Sequence, residues 1–76
     1  MEYEYRGRRF VIFRNHDVSG ISGTGVIAEG IEFPSGKAVM HWVADGKPQS
    51  LGVYESTDEL IQIHGHGGLT EIRWVD

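Results

Sequence analysis

The chain has 76 residues, with eleven acidic side chains against seven basic ones, a formal charge of −4 and no cysteine. These figures bound it at one small domain, exclude disulfides and thiolate metal sites, and argue against a nucleic-acid backbone as partner, since that calls for a basic face. A domain of this size buries roughly 60% of the surface its unfolded chain exposes, so self-association is the expected source of extra stability. The one basic cluster, Arg6, Arg8, Arg9 and Arg14, is offset by Glu2, Glu4 and Asp17. No apolar run approaches the about 18 residues of a membrane span. The opening Met1-Glu2-Tyr3-Glu4-Tyr5 lacks the pattern of a signal peptide, and the expected location is the cytoplasm, away from membranes.

In chain order, Arg9 to Arg14 is the first expected strand, built on Phe10-Val11-Ile12-Phe13. Its lack of alternation predicts burial on both faces. Thr24 to Phe33 is the second strand, with a bulge expected near Glu29-Gly30 that would bring Val26, Ala28, Ile31 and Phe33 to one face. Phe33-Pro34-Ser35-Gly36-Lys37 is a hairpin turn, with Pro34 presetting φ and Gly36 taking the left-handed position. Lys37 to Val43 returns with Ala38, Met40 and Trp42 on one face and Val39, His41 and Val43 on the other. After the polar segment Ala44 to Ser50, Leu51 to Glu55 is a short fourth strand.

Ser56-Thr57-Asp58-Glu59 forms a capping box that starts a helix of about two turns carrying Leu60, Ile61 and Ile63. Gly65 is expected to end it in the left-handed conformation. Thr70 to Val75 is the last strand, with Ile72 and Trp74 on one face. The order β-β-β-β-α-β predicts a mainly β fold: a small, strongly bent antiparallel sheet or partly open barrel of about five strands, with one short helix before the last strand.

The connection between the first two strands carries the chemistry. Asn15-His16-Asp17-Val18-Ser19-Gly20-Ile21-Ser22-Gly23-Thr24-Gly25 is far longer than the roughly 2 to 5 residues of a hairpin loop. Glycine amides and Ser/Thr hydroxyls are the groups that cradle an anion. The stretch is neither a P-loop, lacking the Gly-Lys-Ser/Thr ending, nor a dinucleotide fingerprint, since no helix follows. The bland alternative is a wide turn whose glycines serve backbone geometry. His64 and His66 flank Gly65 and could bond a ligand's oxygens, or with His16 and Asp17 hold a metal. The bland alternative puts His64 in the last helical turn and His66 in a turn. A Ser22-His64-Asp17 triad can be written on paper, but triads are made by geometry rather than by presence.

The segments Phe13-Arg14-x-x-Asp17-x-Ser19-Gly20-x-Ser22-Gly23-Thr24-Gly25-x-x-Ala28-Glu29-Gly30 and Ile63-His64-Gly65-His66-Gly67-Gly68…Ile72-x-Trp74 resemble small proteins of phages, actinobacteria and related prokaryotes, over about residues 9–75. That resemblance implies a phage-like or mobile-element source and supplies no activity. Such a source makes a counter-defence role plausible, by analogy of setting and size with phage proteins that enclose a nucleotide-derived immune signal.

The resulting expectation is a non-enzymatic, homo-oligomeric module, without cofactor or metal, that binds a nucleotide-like or ADP-ribose-like anion. Its site would comprise Arg14, His16, Asp17, Ser19, Ser22, Gly23, Thr24, Gly25, His64 and His66, with Trp42 or Trp74 as a stacking face. The alternatives are a protein-interaction module that inhibits a host protein and, third, a metal-dependent hydrolase using His16, Asp17, His64 and His66.

Overall fold

The computed structural model describes residues 3–15, 25–43, 49–65, 68 and 70–76. Five strands run β1 (Arg8–Arg14), β2 (Gly25–Glu32), β3 (Ala38–Trp42), β4 (Leu51–Tyr54) and β5 (Thr70–Trp74), and α1 (Thr57–His64) lies between β4 and β5. All pair antiparallel in one sheet of order β4-β3-β2-β1-β5. β4 and β5 are therefore its two edges, and the sheet does not close into a barrel.

Strand periodicity divides the side chains into two faces. The covered face carries Phe10 and Ile12 of β1, Ala28 of β2, Ala38 and Met40 of β3, all buried, and Leu60 of α1 seals it. Burying one leucine side chain contributes about 1.5–3 kcal/mol, so this helix is held by packing more than by its own eight residues. Trp42, Tyr54, Ile61 and Ile72 extend the same cluster. β1 is covered fully only on this side: Val11 and Phe13 are half-buried.

Gly30 explains how the face closes. It is the cross-strand partner of both Phe10 and Met40. A Cβ at this position would run into the Phe10 ring and the Val39 carbonyl oxygen. Absence of a side chain thus gives Phe10 its seat, and Trp74 meets Phe10 edge-on with ring centroids 5.5 Å apart. Arg8 lies 3.8 Å over the Trp74 ring while pairing with Glu32 at 3.1 Å.

The bulge is not at Glu29-Gly30. The β1–β2 register passes from Ile12↔Ala28 to Phe13↔Val26, so the extra residue is Ile27. Its side chain is buried, whereas Val26 and Ile31 stay on the opposite face from Ala28 and are exposed. The bulge turns inward the residue with most apolar surface to lose, while Gly30 is committed to Phe10.

The hairpin turn is as expected: Gly36 has φ 93° and its N–H donates to the Phe33 carbonyl at 2.8 Å. Ser56 caps α1, its hydroxyl accepting from Glu59 N–H at 3.0 Å; the Glu59 carboxylate reaches past Ser56 to the Glu55 N–H at 3.4 Å. Gly65 departs from expectation. It remains right-handed, with φ −72° and ψ −21°, and its N–H donates to the Ile61 carbonyl. Its own carbonyl then accepts from Gly68 and Thr70, and the left-handed residue is Gly68 at φ 94°.

Replacing Gly30 by alanine should lower stability by about 1–3 kcal/mol, because the added methyl has backbone on one side and a seated ring on the other. Thermal denaturation of Gly30→Ala against wild type measures this; an unchanged midpoint would show that Phe10 can yield.

Candidate functional site

Antiparallel pairing brings three connections to one end of the sheet. β1 leaves at Arg14 beside Gly25, where β2 begins, and beside Thr70, where β5 begins. β3 ends at this level too, Trp42 facing Ala28, and the Trp42 N–H donates to the Ser50 carbonyl just before β4. α1 returns to the same end, where Gly65 accepts from Thr70 N–H at 3.0 Å. Arg14, Gly25, Trp42, Ser50, Gly65 and Thr70 therefore lie at one end of the sheet, although Arg14 and Thr70 are 56 positions apart in sequence.

Arg14 stands at the centre of this end. Its side chain belongs to the covered face and the residue is only 6% exposed. The other arginines each hold a carboxylate: Arg6 with Glu4, Arg8 with Glu32, Arg9 with Asp76 and Arg73 with Glu71. Among the described residues Arg14 has none. Its Nε donates to the hydroxyl of Thr70, itself 2% exposed, over a long 3.4 Å. A guanidinium offers five N–H donors, and one neutral hydroxyl leaves its charge uncompensated. No described side-chain nitrogen is both sealed from solvent and without a partner, so the remaining donors of Arg14 are not fully sealed from solvent. A planar, always-charged fork in that position suits two oxygens of one anion.

Around Arg14, Gly25 has φ 89°, a backbone that L side chains rarely adopt. Asn15 Nδ2 donates to Glu71 Oε1 at 3.4 Å. On the helix side, Tyr54 Oη and His64 Nε2 are 2.8 Å apart, and the His64 ring meets Trp42 and Tyr54 edge-on, with centroids at 5.3 and 5.7 Å. Burial first, and the Glu59 charge second, raise the Tyr54 phenol above its usual pKa.

Of the residues expected at the site, Arg14 and Gly25 come together as cross-strand partners. His64 lies at the helix end and is engaged by Tyr54 and Trp42. His16, Asp17, Ser19, Ser22, Gly23, Thr24 and His66 lie outside the described residues. Trp42 is at the site end, whereas Trp74, packed on Phe10, is further along the sheet. Sequence reasoning missed Thr70 and Tyr54. A threonine opening a strand and a tyrosine closing one look ordinary until pairing sets the first beside Arg14 and helix docking sets the second against His64.

The Acb5 phage protein family matches residues 7–76. The chain belongs to it. Membership supports a small phage-type protein and is consistent with a phage counter-defence, anti-CBASS role. Neither the curated proteins nor the solved structures contain a match. No helix among the described residues is long and apolar enough to cross a membrane.

The Tyr54 environment has a testable pH signature. A phenol whose folded pKa is raised stabilises the fold fully below the unfolded value of about 10 and loses that contribution as pH climbs through the folded value. Absorbance titration should show the phenolate signal that Tyr54→Phe removes developing above pH about 10; a midpoint at or below that value would contradict the burial of the phenol.

Proposed function

We propose that this Acb5-family protein binds a small nucleotide-like or ADP-ribose-like anion at the sheet end around Arg14, and that it counters a host defence inside the infected cell by sequestering that signal. The observation that carries the reading is Arg14: an arginine only 6% exposed, with no carboxylate among the described residues, set where the glycine-rich stretch leaves and re-enters the sheet. A buried cation without a counter-charge costs several kcal/mol unless something negative arrives, and a bound phosphate or carboxylate would supply it.

In this reading Arg14 takes the anion and Gly23 and Gly25 offer backbone amides. Ser19, Ser22 and Thr24 offer hydroxyls, and Asp17 accepts from a ribose hydroxyl. Trp42 lends a ring face, while His64 and His66 close the helix side. The family's phage origin supports a small signalling molecule as the ligand class. In this reading the anion is held without turnover; the engagement of the described histidine at the helix end by Tyr54 supports it.

Isothermal titration against a panel of cyclic dinucleotides, linear dinucleotides and ADP-ribose tests this, with mass analysis of the recovered ligand. Wild type should bind at least one and release it intact. Arg14→Met should weaken that binding about 100-fold or more, the worth of two charge-assisted hydrogen bonds. The ligand-free variant should melt no lower than wild type, since an apolar chain of similar volume replaces an uncompensated charge. Unchanged affinity in Arg14→Met would remove the anion from this site, and a chemically altered ligand would replace sequestration with catalysis.

A further inference from the structure

The face of the sheet opposite α1 has no covering element among the described residues. Along it runs an open groove of about 480 Å³, lined in its middle by Val11, Glu29, Ile31, Val39, His41 and Leu51. The register places these residues on one face: Val11 opposite Glu29, Ile31 opposite Val39, His41 opposite both Glu29 and Leu51. Their apolar members are well exposed, Ile31 by 38% and Leu51 by 68%, and the surface continues past the groove to Val26 at 49% and Val53 at 75%. A half-buried antiparallel strand ordinarily alternates apolar inside with polar outside. Here β4 puts Leu51 and Val53 on the outer side.

We propose that this face is where a second copy of the chain packs, sheet against sheet, about a two-fold axis. Charge is the first argument. The chain carries −4, but of the charges in and beside the groove Arg9 is paired with Asp76 at 2.6 Å and Arg73 with Glu71 at 3.0 Å, leaving Glu29, 3.5 Å from the His41 ring, as the one carboxylate without a fixed cation among the described residues of this face. A face without a dominant sign meets its own copy without the repulsion that the net charge would otherwise impose. A two-fold contact uses the same patch on both partners, and a patch with little net charge avoids meeting its own sign there.

Area is the second argument. Five strands about 4.8 Å apart, each rising about 3.3 Å per residue, present roughly 500 Å² in projection. With side-chain relief this reaches the about 600 Å² per partner at the lower bound of stable interfaces. The apolar surface also exceeds a small-molecule site, since Val26 and Val53 lie beyond the groove lining. Stacked sheets of this kind pack about 10 Å apart, and a second copy would supply the layer that a single eight-residue helix cannot.

Sedimentation velocity of the full chain from low micromolar to submillimolar concentration tests the proposal. Wild type should reach twice the 8.5 kDa of one chain. Ile31→Glu and Val26→Glu, both on the middle strand and both already part-exposed, should each raise the dimer dissociation constant about 100-fold by trapping an unpaired charge between the sheets. Circular dichroism of each variant certifies the fold, and either variant that folds is sufficient. A wild-type monomer throughout would overturn the proposal. A dimer unaffected by these substitutions would overturn it too, because a contact through the free β4 edge leaves β2 untouched. Wild type that dimerises only after a host protein or small molecule is added would transfer the face to that occupant.

Discussion

A single short helix has to close a five-stranded sheet, and the rest of the molecule depends on how it does so. Leu60 is its one fully buried residue, set over a face whose height is kept low by Gly30 and by Ala28 and Ala38. Those small residues let Phe10, Ile12 and Met40 lie flat enough for two helical turns to seal them. The same economy leaves the other face uncovered, since no second helix exists among the described residues to lie on it. A lightly sealed core and a bare sheet face are thus two consequences of one shortage of chain.

The antiparallel order has a second consequence. With β1 between β2 and β5, the strand that delivers Arg14 is flanked at that end by the starts of two others. Gly25 and Thr70 become neighbours of Arg14 by pairing alone. An arginine in this place is largely removed from water, yet among the described residues receives only a threonine hydroxyl. The other arginines, on the outer face or near the opposite end of the sheet, find carboxylates and are electrostatically satisfied. The contrast between Arg14 and Arg9 comes from position in the ladder, since as isolated side chains the two are the same.

Much of the architecture was legible in the residues. β-branched and aromatic runs marked the strands, Pro34 and Gly36 marked the hairpin, and Ser56 with Glu59 marked the helix start, because each of those signals acts within a few bonds. The bulge was not legible. Its position at Ile27 is decided by which residue gains most from facing the helix, a comparison across strands that local glycine content cannot reveal. The ending of α1 failed for a related reason: Gly65 could have turned left-handed, but its carbonyl is needed by both Gly68 and Thr70, and that demand exists only when β5 is in place.

The site divides in the same way. Composition and spacing alone determined that a long glycine- and hydroxyl-rich stretch follows Arg14 and that these 76 residues offer no thiol chemistry. These are properties of residue type and loop length. Only the tertiary structure decided that Arg14 is buried beside Thr70, that His64 is taken up by Tyr54, that Trp74 packs edge-on against Phe10 and away from Arg14, and that one sheet face stays bare among the described residues. Each of those outcomes depends on strand order and register, which are set by the free energy of the whole sheet and its helix and not by any segment read on its own.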